Sequence, residues 1–125
     1  MPIKSNIDSS NELTEHVATG VVTDEEMFAC HNKFYESGVT RLELWDMSGA
    51  DVSKTTVQGM KQFIRLSAKL GQSRKYGRTA AVAGNMLQFG LARMAEGIGE
   101  FEGLPYEFRV FSSKADAIEW LYESR

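Results

Sequence analysis

With 125 residues, 42% of them hydrophobic and 25% charged, the chain has room for one domain with its own core and too much apolar content for a disordered segment. No apolar run reaches bilayer-spanning length, the start MPIKSNIDSS lacks the apolar centre of a secretion signal, and the lone Cys30 has no second thiol for a disulfide or a zinc site. A single cytoplasmic domain over residues 1–125, without metal or cofactor, is expected, and the net charge of −3 places nucleic acid last among its partners.

The first extended stretch, Ile3 to Asp8, meets a turn at SSN and is followed by a second from Leu13 to Val22, so a hairpin opens the domain. TDEE then reads as a capping box, with Thr23 placed to accept the Glu26 amide, and Met27, Cys30, Phe34 and Tyr35 recur at helical spacing until Gly38. RLELWD alternates as a half-buried strand does and is expected to end in a turn from Asp46 to Asp51. Ser53 or Thr55 is placed to cap the next helix, which runs to about Leu70 with Val57, Met60 and Ile64 on its apolar side. RTAAVAGN has the small, continuous apolar character of a central strand, and Asn85 caps a helix carrying Leu87, Leu91, Met94 and Ile98. A glycine-rich loop from Gly97 to Pro105 leads to the strand YEFRVF, and Ser113 starts a last helix bearing Ala115, Ile118 and Leu121. The predicted order is ββαβαβαβα: an α/β domain with a mixed, mostly parallel sheet of about five strands and helices packed on it.

Charge is distributed unevenly. Between Asp51 and Glu96 there is no acidic residue, yet the interval holds Lys54, Lys61, Arg65, Lys69, Arg74, Lys75, Arg78 and Arg93, which is 8 of the 14 basic residues. Lys61, Arg65 and Lys69 follow one another at helical spacing, so they line one polar stripe, and Arg74 and Lys75 are expected to extend it through the next loop.

Three stretches carry a family resemblance. TGVVTDEEM, LELWDMSGAD and FRVFSSKADAIEWL resemble the first strand-to-helix passage, the strand with its Asp-hydrophobic-Ser signature and the closing strand and helix of STAS-like domains, over residues 12 to 122. Within that group, named for sulfate transporters and anti-sigma-factor antagonists, the chain is most similar to the branch placed with CRAL-TRIO lipid-transfer domains. The resemblance implies a non-enzymatic binding or regulatory module. It also implies a phosphoacceptor near Ser53, although ADVSKTTV has Lys54 where the antagonists carry glycine.

From the residues themselves, Ser53 reads first as a helix cap and second as a phosphosite. Trp45, Asp46, Ser48, Gly84 and Asn85 are ligand-pocket candidates, because AVAGN sets a helix N-terminus at the carboxyl end of a central strand, where open αβ sheets take ligands. Cys30 and His31 are adjacent on a helix and point about 100 degrees apart, and His16 has no carboxylate orienter visible in the sequence, so no catalytic residue is expected. The leading expectation is docking of a protein partner or an anionic lipid surface through Lys61, Arg65, Lys69, Arg74 and Lys75. A carrier of a lipid or other apolar anionic molecule is the alternative, suggested by Met47, Met60, Met86 and Met94 and by a glycine lid, and an enzyme is third. Gly90, Met94 and Gly97 form a small-residue stripe suited to a homodimer contact.

Overall fold

The computed structural model describes residues 2–74 and 76–123. Along the chain come β1 (Ile3–Asp8), β2 (Leu13–Val21), α1 (Asp24–Ser37), β3 (Leu42–Asp51), α2 (Val57–Leu70), β4 (Arg78–Val82), α3 (Met86–Glu102), β5 (Glu107–Phe111) and α4 (Lys114–Leu121). One-turn 3-10 helices occupy Ser9–Asn11 and Gly71–Arg74. The strands form one sheet in the order β1-β2-β3-β4-β5, antiparallel between β1 and β2 and parallel across the rest. The α/β class, the element order and the mixed sheet agree with the reading of the sequence.

Side chains alternate across β3 and β4, so the sheet has two inner faces. On one, Leu42, Leu44, Ala80 and Val82 meet Ala117, Trp120 and Leu121 of α4. Leu42, Leu44 and Leu121 are fully enclosed there, and each such side chain contributes about 1.5–3 kcal/mol. On the other face Glu43, Trp45, Thr79 and Ala81 lie beneath α1, α2 and α3. RLELWD is therefore buried on both faces from Leu42 to Trp45. Its alternation marks two different covers rather than one cover and solvent.

Four local expectations are corrected. The segment from Asp46 to Asp51 is strand: after a register shift between Val17 and Thr19, Gly49, Ala50 and Asp51 pair with Thr19, Gly20 and Val21. The helix α2 is capped by Thr56, whose hydroxyl accepts the Gly59 amide at 2.9 Å, while the Ser53 amide donates to Asp51 at 3.0 Å. Val57 is exposed rather than packed on the sheet. The glycine-rich loop is mostly helix, since α3 continues through Gly97 and Gly99 to Glu102 and ends at Gly103 with φ 73°. Thr23, Asn85 and Ser113 cap α1, α3 and α4 as expected, and Thr23 and Glu26 complete the capping box.

Candidate functional site

Between the sheet and α1, α2 and α3 lies a cavity of about 130 Å³. Met27 and Phe28 of α1, Met60, Phe63 and Ile64 of α2 and Leu91 and Ala95 of α3 supply most of its walls, and Trp45 and Ala81 form part of its floor. Asp24, Thr55 and Thr56 line it at the end where α1 and α2 begin, and Thr56 is exposed. The aromatic walls hold one another edge-on, with Phe63 centroids 5.9 Å from Phe28, 5.8 Å from Trp45 and 4.5 Å from His31. Such edge-to-face contacts fix ring positions beyond what area burial does.

Under this apolar space sits a buried polar cluster. Glu43, 3% exposed, accepts from His16 Nε2 at 2.9 Å, Thr79 Oγ1 at 3.1 Å and Arg74 Nη1 at 3.4 Å. Burial pushes the Glu43 carboxyl up, but the His16 hydrogen bond and the Arg74 charge outweigh it and hold the group below the usual carboxylate range. For His16 burial works downward, whereas the Cys30 and Glu43 contacts work upward and raise it to about 9. Arg74 also donates to the carbonyls of Thr40, Arg41 and Arg78 and lies 4.4 Å from the Tyr106 ring centre. One guanidinium thereby ties the Gly71–Arg74 turn to the starts of β3 and β4.

His31 is the polar residue of the wall. Ser67 donates its hydroxyl to the Phe63 carbonyl at 3.0 Å, so His31 Nε2 donates to Ser67 Oγ at 2.7 Å. Nδ1 is then a lone-pair acceptor, buried and without a partner in hydrogen-bonding geometry among the described residues. Burial holds the imidazole below its ordinary range, against raising influences from the Glu43 charge and the Asn32 side chain.

Of the ligand-pocket candidates, Trp45 alone lines the cavity. Asp46 accepts from the Ser48 amide and hydroxyl and pairs with Lys114 at 3.6 Å. Asn85 is spent on its cap, and Gly84 packs where an added Cβ would come within 3.0 Å of Ser48 Cβ. These four build the junction of β3, β4 and α3, which Gln88 closes by donating to the Ala50 carbonyl at 2.7 Å and accepting the Gly84 amide at 2.5 Å. The basic stripe is also changed. Arg74 is 3% exposed and belongs to the interior, Arg65 pairs with Glu102 at 3.1 Å and Arg78 with Glu107 at 2.8 Å. Lys61 and Lys69 are exposed as expected, and Lys75 lies outside the described residues.

Glu43 and His31 are what the sequence reading missed. Glu43 stands between two leucines in an alternating strand and looks solvent-facing. His31 had a signal, for it stands four residues after Met27 and four before Tyr35, on the apolar side of α1.

No protein-family model matches the chain, and no curated protein matches it. Among solved structures it is similar to an uncharacterized protein from the DUF3478 family with a SpoIIAA-like fold, from Shewanella loihica. That likeness has 23% identity and a TM-score of 0.59 and covers 95% of this chain and 91% of the other. It shows the fold alone, which is SpoIIAA-like.

Proposed function

We propose that the domain is a non-enzymatic binding module that takes a small, largely apolar molecule between the sheet and α1, α2 and α3. The observation that carries this reading is the cavity of about 130 Å³ with apolar walls, with His31 and Glu43 among the residues that line it. An engineered cavity of about 150 Å³ takes benzene, whereas drug-sized ligands need about 300 Å³ or more. A single aromatic ring is thus the matching size, and a lipid acyl chain is too large to be held whole. Because His31 and the carboxylate of Glu43 line the same space, the geometry favours an uncharged ring with one O–H or N–H, such as a phenol or indole, over an anion.

The test is a titration with indole followed by amide NMR shifts. Shifts centred on Trp45, Phe63 and Ile64, lost when Ala95→Leu fills the space in a folded variant, support the reading. No saturable shift, or shifts elsewhere on the surface, contradict it. Docking of a protein partner or an anionic surface through α2 stands second. It is favoured by exposed Lys61 and Lys69 and weakened by the Glu102 partner of Arg65.

A further inference from the structure

The structure brings together three residues that the chain keeps apart: Cys30 on α1, His16 on β2 and Glu43 on β3. Cys30 Sγ lies 3.3 Å from His16 Nδ1, and His16 Nε2 lies 2.9 Å from Glu43 Oε2. A nucleophile within reach of an imidazole, itself oriented by a carboxylate, is the arrangement that activates a thiol. We propose that Cys30 is a nucleophilic modification site for small electrophiles of the α,β-unsaturated carbonyl class, with its proton held on Nδ1 of His16 and the imidazole fixed by Glu43.

The tautomer follows from the partners. Glu43 also accepts from Arg74 and Thr79, so its carboxylate is an acceptor toward His16 and fixes the proton on Nε2. In the neutral ring Nδ1 therefore presents a lone pair toward Cys30 and toward Ser5 Oγ, which lies at 2.7 Å, and in the charged ring it donates toward them. A proton leaving the thiol makes an imidazolium between a thiolate and a carboxylate, and that ion is favoured on both sides. The charged and titratable groups facing the pair are Glu43 from β3, Arg74 behind Glu43 and His31 from α1. The Phe34 and Trp45 rings enclose the imidazole at 5.6 and 4.3 Å. His16 is 1% exposed, so water does not screen this arrangement, whereas Cys30 is only half-buried and Ser5 is exposed. Cys30 thus meets solvent while its partner does not.

Ser5 shares Nδ1 but is the weaker nucleophile, because an alcohol is far less acidic than a thiol and its oxygen is less nucleophilic toward a conjugated carbon than a thiolate sulfur. In the step itself, the sulfur electron pair forms a bond to the β-carbon and the carbon–carbon π pair moves to the carbonyl as an enolate. The enolate then takes the proton from His16 Nδ1. One bond forms at sulfur, one proton is consumed and no leaving group or oxidant is required. Cys30 lies outside the cavity lining, so the site and the cavity stand or fall separately.

The test follows alkylation by N-ethylmaleimide with intact-protein mass spectrometry at about pH 6 and about pH 8.5, with N-acetylcysteine as the free thiol and Cys30→Ser as the blank. The free thiol, ionising near 8.5, slows roughly a hundredfold over that interval. The wild-type rate is expected to change by less than about threefold and to exceed that of the free thiol at pH 6 by about tenfold or more. His16→Gln, shown folded by circular dichroism, is expected to regain the steep pH dependence; should it fail to fold, the wild-type profile decides alone. A wild-type rate that falls with acid as steeply as that of the free thiol, or labelling only after unfolding in urea, overturns the proposal.

Discussion

At the scale of residues, Glu43 holds His16 and Arg74 in the interior, and the titrations of the cluster set how stability varies with pH. His16 rises from 6.5 to about 9 on folding, so its contribution is complete below 6.5 and is lost as pH climbs through 9. His31 moves the other way: the unfolded chain takes its proton first, so that contribution is present above 6.5 and is lost as pH falls below it. Glu43, held below 4.5, adds stability that is present above 4.5 and disappears in stronger acid. Urea midpoints measured across pH are expected to peak near 6.5, and His16→Gln is expected to flatten the alkaline decline. A midpoint that keeps rising to pH 9 contradicts the assignment. A second residue-scale prediction separates cap from neighbour. Thr56→Ala, which removes the bond to the Gly59 amide, is expected to cost about 1 kcal/mol, and Ser53→Ala, which leaves every cap in place, less than about 0.5 kcal/mol, both read by urea denaturation. The sequence could not choose between these hydroxyls, because any Ser or Thr ahead of an apolar run satisfies the same cap pattern, and only the backbone decides which one sits at the boundary.

Among elements, the start of α2 is fastened to the start of α1 by one carboxylate. Asp24 accepts the Thr56 amide at 3.1 Å and its hydroxyl at 2.7 Å, and the same carboxylate occupies the space beside Gly59, where an added Cβ would lie 2.3 Å from it. Alanine in place of a helical glycine ordinarily stabilises by about 0.5–1 kcal/mol. Here Gly59→Ala is expected to lower the melting temperature, because the methyl displaces Asp24 from Thr56. An increase in melting temperature would show that the carboxylate relocates freely. In Asp24→Ala the glycine substitution is expected to lose most of its penalty. At this scale the sequence was legible: hydrophobic period, caps and glycine stops located the five strands and four α-helices of the described residues in order. What stayed hidden were contacts between distant segments, such as Asp24 with Thr56 and Glu43 with Arg74, since no local pattern encodes a partner 31 or 32 residues away. The same reason undid the basic stripe. Its carboxylates Glu102 and Glu107 lie beyond the acid-free interval and return to it only through the fold.

For the whole molecule, α4 closes one face of the sheet with a tightly filled cluster, while α1, α2 and α3 leave space over the other. Unfilled space costs stability, about 24 cal/mol per Å³ in cores emptied by mutation. A cavity of about 130 Å³ is therefore held against a penalty that a modest substitution removes. Ala95→Leu is accordingly expected to raise the melting temperature while abolishing ligand binding, a trade that marks space kept for function. No helix among the described residues is long and apolar enough to cross a membrane. The most direct test is a crystal of the wild-type protein soaked in bromobenzene and measured at the bromine absorption edge. An anomalous peak enclosed by Trp45, Phe63 and Leu91 is the predicted result; a crystal that shows bromine only on the exposed surface, with the interior unchanged, would contradict the account.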